Sequence, residues 1–296
     1  MLPALVRNLT LTVAGETPRG PVPIRLAGRR LGAPGHPRKV LFLHGVGITA
    51  DTWRVAQPVV AAHADTVALD LAGFGASVVG PDVDVTMAAQ GRLVARVLDA
   101  LGWRRAVLVG HSMGGGAGLA AALWSPERVA GLVQVAGAAT RQRVPIFFPP
   151  LRLPGAAHGL WLLTRAVHAL GLSTLYGRLW SHDPAIAGAF LAAMRRLPHD
   201  QAFCRCVRDL RPARYTRYEQ RYPLLRQPLL ILHGDRDPIV PCAVGRALHR
   251  LVPHSELQVI PGGDHMFHEW PEHGVGARVV AFLERWWAGD VDTVHG

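Results

Sequence analysis

The residue that the sequence most strongly suggests as chemically reactive is a serine flanked by glycines. In the stretch GHSMG (110–114), Ser112 has a glycine two residues away on either side. The apolar run before it is typical of a buried strand, and the small residues after it favour a helix. A sharp strand-to-helix turn strains its central residue and presents the hydroxyl near backbone N–H groups that favour negative charge. We therefore predict that Ser112 is a nucleophile rather than a polar residue of a glycine-rich turn.

A serine hydroxyl needs a general base, and a histidine follows the last predicted strand of the chain. His265 lies directly after the strand at 256–262. Loops at the carboxyl ends of parallel strands share one edge of the sheet, so this loop is expected near Ser112. His268 is the fallback base. His265, His268 and Glu269 could also be metal ligands, but no second cluster completes such a site, and we expect no metal.

The base in turn needs a carboxylate that holds the productive imidazole tautomer. Asp235 and Asp237 both follow the predicted strand at 228–235. The turn that begins at Gly234 should place the later acid over the sheet, so Asp237 is predicted to orient the base and Asp235 to form the turn. The stretch GAATR (137–141), after the preceding strand, contains no acid, which strengthens this choice.

Two backbone amides are predicted to stabilise the negative charge of a tetrahedral intermediate. The stretch LHGVGIT (43–49) follows the first central strand and offers N–H groups in a glycine-flanked turn. We expect the amides of Val46 and Met113 to form this oxyanion hole. Loss of one such donor typically costs about 100- to 1000-fold in rate.

These groups must be positioned by secondary structure, and the chain alternates strands with helices. Strands are predicted at 9–13, 39–45, 66–73, 106–110, 131–137, 228–235 and 256–262. Helices are predicted at 50–64, 86–101, 113–124, 240–251 and 272–287. The first of them is expected to be capped near Thr49 or Asp51, and Pro58 could kink it. Continuous apolar strands that alternate with helices indicate a parallel sheet covered on both faces.

The alternation stops between residues 139 and 226, where the chain is helical in pattern and rich in arginine. Residues 140–226 contain fourteen arginines against four acidic residues, in a chain whose net charge is +11. We interpret this segment as a cap over the carboxyl edge of a core formed by 1–138 and 227–296. The basic surplus could attract an anionic substrate or membrane surface, but a solvated surface is favoured. No nucleic-acid-binding module is visible, so no such partner is expected.

Five residues are tentative substrate contacts. The aromatic content of the cap suggests an apolar pocket wall, although packing of the cap's own core explains it equally well. The five are His44, Gly45, His111, Phe148 and Trp161.

The sequence also indicates the cellular compartment in which the protein is expected. The start of the chain lacks the basic region and unbroken apolar run of a signal peptide, and no stretch reaches the roughly 20 apolar residues of a membrane span. The three cysteines form no zinc-like pattern, and reduced thiols are the simplest interpretation. A cytoplasmic protein is therefore expected.

The combined motifs resemble those of the α/β-hydrolase superfamily, in its branch of small lid-bearing serine hydrolases. They are HG (44–45), DLAGFGAS (70–77), GHSMGG (110–115), HGDRDPIVP (233–241) and the final His265. The resemblance covers roughly 38–138 and 227–288. It implies an α/β fold with an eight-stranded, mostly parallel sheet, an α-helical cap inserted after the sixth strand, and no cofactor. Asp264 is a departure, since many relatives have glycine before the histidine.

The resemblance also narrows the chemistry. Haloalkane dehalogenases and epoxide hydrolases of this fold carry an aspartate where this chain has Ser112, so the serine implies attack on an acyl carbon. The leading expectation is a hydrolase that cleaves a carboxylic ester of a hydrophobic small molecule through an acyl-enzyme. The alternatives are a C–C bond hydrolase of a diketo acid and a non-catalytic binding protein. C–C hydrolases often have asparagine before the serine, and His111 therefore favours the esterase.

Overall fold

A computed structural model of the protein describes residues 7–142, 156–170, 205–206 and 212–287. The strands are β1 (Arg7–Gly15), β2 (Val22–Leu31), β3 (Lys39–Leu43), β4 (Asp65–Leu69), β5 (Ala106–His111), β6 (Val129–Val135), β7 (Leu229–Gly234) and β8 (Glu256–Ile260). The α-helices of the described residues are α1 (Ala56–Ala61), α2 (Met87–Ala100), α3 (Met113–Trp124), α4 (Ala156–Ala169), α5 (Pro212–Glu219), α6 (Cys242–Leu251) and α7 (Val275–Trp287).

The eight strands form one sheet in the order β1-β2-β4-β3-β5-β6-β7-β8. β2 pairs antiparallel with β1 and with β4, whereas the strands from β3 to β8 pair in parallel. Leu43 at the end of β3 pairs with Gly110 of β5, and Gly234 at the end of β7 pairs with Ile260 of β8. The loops after these strands therefore leave the same edge of the sheet. The predicted mostly parallel, eight-stranded α/β fold is confirmed.

The central strands are buried on both faces, as their continuous apolar sequences predict. In β3, Val40 and Phe42 belong to the hydrophobic cluster on one face, and Leu41 and Leu43 belong to the cluster on the other. Full burial of each such side chain contributes about 1.5–3 kcal/mol to folding. The carboxyl edge is thus carried by a rigid, doubly covered sheet.

The helix predicted from residue 50 to 64 is wrong as a single element. The structure has a 3₁₀ turn at Ala50–Trp53, followed by the short helix α1. Thr49 caps the turn, because its hydroxyl accepts the N–H of Asp51. Pro58 explains the division, since a continuous helix would need the N–H that proline lacks; within the first turn of α1 no such bond is required.

Strand β2 was not predicted from its own residues. Ile24 and Leu26 are buried with the exposed Arg25 between them, but this alternation does not continue after Leu26. Pro23 and Gly28 further weaken the strand pattern. The long antiparallel pairing of β2 with β1 supplies the order that the local sequence does not indicate.

Helices α4 and α5 lie between β6 and β7 in the chain, within the segment interpreted as a cap. At its carboxyl end, the buried Tyr222 donates its hydroxyl to the carbonyl oxygen of Ala139, 2.5 Å away. This bond joins the two ends of the segment near the end of β6. The domain limits at 138, 139, 226 and 227 stay predictions.

In the portion of the chain described by the structure, no helix combines the length and apolarity needed to cross a bilayer.

Candidate active site

Ser112 forms the tight connection between β5 and α3. Its backbone has φ 52° and ψ −119°, a conformation that a non-glycine residue adopts only under strain. Glycines allow the close approach around it: a Cβ added to Gly110 would lie 2.5 Å from the Gly114 carbonyl oxygen. A Cβ on Gly114 would lie 2.3 Å from the carbonyl oxygen of Leu43. The GHSMG spacing is therefore a requirement of backbone packing at this turn.

Backbone hydrogen bonds hold Ser112 in that conformation. Its N–H donates to Val135 O at 3.1 Å, and its carbonyl oxygen accepts from Ala138 N at 2.9 Å and from the first turn of α3. Among the residues that the structure describes, the Ser112 hydroxyl makes no hydrogen bond, and thus none to His265. Its residue is 7% exposed, at the carboxyl edge of the sheet.

His265 and Asp237 are brought together from the loops after β8 and β7. His265 Nδ1 lies 2.8 Å from Asp237 Oδ2. The other oxygen of Asp237 accepts the N–H groups of Ile239 and Val240, each at 2.8 Å. Because an ionised carboxylate only accepts, Nδ1 of His265 carries the proton, and Nε2 keeps a lone pair in the neutral ring. A ring in this state can accept a proton at Nε2.

The alternative acid and base occupy different surroundings. Asp235 is exposed, and its Oδ1 accepts the N–H of Gly262 at 2.7 Å, as a turn-forming residue does. His268 is completely buried, and this burial holds its pKa well below the ordinary value. The geometry therefore favours Asp237 over Asp235 and His265 over His268. Asp264 accepts the N–H of Met266 at 2.8 Å, in a local turn beside His265.

The amides of Val46 and Met113 lie on two segments that touch. A Cβ added to Gly45 would lie 3.0 Å from Ser112 Cβ, so the loop after β3 packs against the serine. Within the described part of the chain, neither amide donates to a protein acceptor. Met113 begins α3, where the first N–H groups have no partner inside the helix.

The tentative assignment of His44 and His111 as substrate contacts is not supported by the positions of their rings. His44 is buried, its Nε2 accepts the N–H of Leu71 at 2.9 Å, and its Nδ1 donates to Gly45 O at 2.7 Å. His111 is also buried, and its Nε2 lies 2.9 Å from His265 O. Burial lowers the pKa of both rings. Both hold backbone segments instead of facing a ligand.

The remaining tentative contacts have different outcomes. Gly45 is buried against Ser112, and the close packing there leaves no room for a side chain at residue 45. Phe148 lies outside the described residues. Trp161 belongs to α4, but its side chain is outside the described part of the structure.

Sequence reasoning missed a polar network beneath the site. Thr52 donates its hydroxyl to Glu269 Oε1 at 2.6 Å and also lies 2.7 Å from His268 Nε2. The second oxygen of Glu269 forms an ion pair with Arg54. The sequence had singled out His268 and Glu269 only as possible metal ligands, and nothing in it indicated their link to Thr52 and Arg54. Over the residues that are described, no cluster of three or more His, Cys, Asp or Glu side chains is arranged to hold a metal ion.

Comparison with known proteins agrees with this architecture. A family model described as alpha/beta hydrolase fold matches residues 39–272. The 2-hydroxy-6-oxononadienedioate/2-hydroxy-6-oxononatrienedioate hydrolase of Cupriavidus pinatubonensis is 28% identical over 258 residues, covering 82% of this chain and 86% of that protein. The uncharacterized hydrolase YugF of Bacillus subtilis is 26% identical over 255 residues, covering 83% and 89%.

A solved structure extends the agreement to three dimensions. The thermophilic esterase from Thermogutta terrifontis superposes with a TM-score of 0.73 at 22% identity, covering 94% of this chain and 98% of that one. At this identity the likeness concerns the fold. Together with the family match over most of the chain, it leads to one conclusion: the protein belongs to the α/β-hydrolase family and is a hydrolase of that fold.

Proposed function

We propose that the protein is a serine hydrolase that cleaves a carboxylic ester of a hydrophobic small molecule through an acyl-enzyme intermediate. The observation that carries the proposal is the convergence of Ser112, in its strained turn, with the hydrogen-bonded pair His265–Asp237 at one edge of the sheet. Serine supplies the attacking oxygen, histidine the base, and aspartate the group that orients the base.

The proposed reaction proceeds in two halves. His265 Nε2 removes the proton of Ser112 Oγ while Oγ bonds to the acyl carbon, and the amides of Val46 and Met113 stabilise the resulting oxyanion. The intermediate then collapses, the C–O bond to the alcohol breaks, and His265 returns the proton to the leaving oxygen. A water molecule then loses a proton to His265 as its oxygen bonds to the acyl carbon. The bond between that carbon and Ser112 Oγ breaks, His265 returns the proton to Oγ, and the acid is released.

The Ser112 hydroxyl, which has no hydrogen-bond partner among the described residues, is compatible with this scheme. Hydrogen bonds between catalytic groups are often long or absent without substrate and form in the Michaelis complex. The burial of Asp237 and its three donors supports its role, since an ionised carboxylate so held stabilises the imidazolium that appears when His265 takes the proton.

Esters are favoured as substrates because a serine nucleophile acts on acyl carbon and because an esterase shares the fold. A C–C bond hydrolase of a diketo acid is the second candidate. Its support is the 28% identity to the hydrolase of C. pinatubonensis, whose name describes a hydroxy-oxo dioate substrate.

The test uses purified protein with p-nitrophenyl esters of increasing acyl length. We expect turnover that favours medium chains and a loss of about 10⁴-fold or more in kcat/KM for Ser112→Ala. Ser125→Ala is the matched control, because Ser125 lies at the other end of α3 and should leave activity unchanged. If no ester is hydrolysed above the Ser112→Ala background, the esterase proposal is wrong.

A second measurement separates the candidates. A fluorophosphonate probe should label Ser112 in the native protein, whereas a non-catalytic binding protein would give no adduct. Labelling without ester turnover, together with cleavage of a synthetic diketo acid, would favour the C–C bond hydrolase instead.

A further inference from the structure

The ring of His111 connects the two loops that carry the proposed nucleophile and base. His111 ends β5 and directly precedes Ser112, while its Nε2 lies 2.9 Å from the backbone carbonyl oxygen of His265. A carbonyl oxygen only accepts, so Nε2 carries the proton and donates it in this bond. One side chain thus spans 154 residues of sequence to hold the backbone of the base.

Among the residues that the structure describes, this is the only hydrogen bond of the ring. In the part of the chain that is described, Nδ1 of His111 is buried and has no hydrogen-bond partner. A Cβ added to Gly45 would approach that nitrogen to 2.9 Å, so the backbone of the loop after β3 closes this side of the ring. The orientation of the ring therefore depends on the bond to His265 and on the packing of its faces.

Aromatic packing restricts the ring on both sides. The His111 ring lies with its centroid 4.7 Å from that of His265 and 4.2 Å from that of His268. His268 in turn lies 4.9 Å from Trp53. The four rings form a row, and His111 has little room to rotate within it.

The ring of His268 is fixed by hydrogen bonds that involve a charged carboxylate. Thr52 gives its only proton to Glu269, so the contact of 2.7 Å with His268 requires that His268 Nε2 donate to the Thr52 oxygen. Glu269 is anchored by its ion pair with Arg54. The row of rings is therefore attached to the 3₁₀ turn after β3, which also follows the loop of Val46.

Burial keeps this support uncharged. Both His111 and His268 are completely enclosed, and burial holds the pKa of each well below its ordinary value. The two other histidine rings of the row therefore stay neutral when His265 accepts a proton. A charged ring at either position would repel the imidazolium that the proposed mechanism requires.

We propose that His111 is a positioning residue for His265, and that its Nε2–H···O bond sets the position of the base relative to Ser112. The ring of His268 packs against the His111 ring and restricts its rotation. The proposal rests on the proposed function, since it assigns His265 the role of base. It also gives His268, the fallback base of the sequence, a supporting role.

The experiment compares three substitutions of His111. His111→Gln keeps an N–H at the same number of bonds from Cα, His111→Asn shortens that reach by one bond, and His111→Leu removes the donor. We expect kcat for a p-nitrophenyl ester to fall about 10- to 100-fold in the Asn and Leu variants with KM within threefold, and to stay within fivefold in the Gln variant. His249→Leu is the control, because it removes a histidine that bonds Ser255 instead.

A spectroscopic readout makes the test independent of activity. Nitrogen-15 NMR of labelled histidine should show His265 as a single Nδ1–H tautomer in the native protein and the Gln variant, and mixed tautomers in the Asn variant. Native kcat in the folded Asn or Leu variant, equal losses in Gln and Leu, or an unchanged His265 signal would overturn the proposal. If the native protein hydrolyses no ester, the proposed function fails, and the NMR comparison alone decides the positioning role.

Discussion

At the scale of single residues, the two aspartates after β7 differ in what they contact. Asp237 is buried and directed at His265, whereas Asp235 is exposed and bonded to the N–H of Gly262. The same short stretch thus contains one acid facing the site and one that closes a turn. Chemistry alone does not separate them, because both are carboxylates after the same strand.

We expect Asp237→Asn to lower kcat by about 10³- to 10⁴-fold, because an amide favours the wrong tautomer of His265. Asp235→Asn should retain most activity, since an amide oxygen can still accept from Gly262. Steady-state kinetics of both variants on one ester check this. The reverse order of losses would show that Asp235 orients the base.

At the scale of elements, the strand-turn-helix unit around Ser112 depends on close backbone contact with the end of β3. A Cβ on Gly114 would lie 2.3 Å from the Leu43 carbonyl oxygen and 2.6 Å from that of His44. Backbone atoms cannot rotate away as a flexible side chain can. Relief would require α3 to move relative to the loop that carries Val46.

Gly114→Ala is therefore expected to lower kcat/KM at least about 100-fold, because a displacement of about 1 Å is sufficient for such a loss. Gly118→Ala is the matched control in the same helix. The nearest atom to its added Cβ is 3.5 Å away, and alanine favours the helix by up to about 1 kcal/mol. Equal activity of the two variants, measured with the same ester and with thermal unfolding as a check, would contradict this account of the turn.

At the scale of the whole molecule, several buried histidines link stability to pH. Burial is the main cause that lowers the pKa of His44, His111, His233 and His268. In the unfolded chain these rings take up protons below about pH 6.5, while in the folded chain they resist protonation. Acid therefore favours the unfolded state.

The free energy of unfolding should accordingly decrease as the pH falls below about 6.5, by up to about 1.4 kcal/mol per pH unit for each such histidine. Urea unfolding at pH 7.5 and 5.5 measures the difference. His268→Gln should show a smaller decrease than the native protein, because one titrating ring is removed. An unfolding free energy that is equal at both pH values would contradict the prediction.

The agreement between sequence and structure is strongest where the pattern is local. Helix α3 was predicted with its observed bounds, and α2 ends at Ala100, shortly before Gly102, whose φ of +68° suits the residue after a helix cap. The paired strand β2 and the division of the helix at 50–64 were missed. In both cases a long-range partner or a single missing N–H decided the outcome.

The sequence by itself determined the strained turn at Ser112, the parallel strands and the presence of an acid and a histidine after β7 and β8. These features follow from apolar periodicity and from glycine spacing, which act over a few neighbouring residues. The tertiary structure alone decided how closely Asp237, already favoured by the turn at Gly234, approaches His265, and that the ring of His111 packs between those of His265 and His268 in the core. Those assignments depend on contacts between residues distant in the chain, whose directions are fixed only when the sheet brings their loops to one edge.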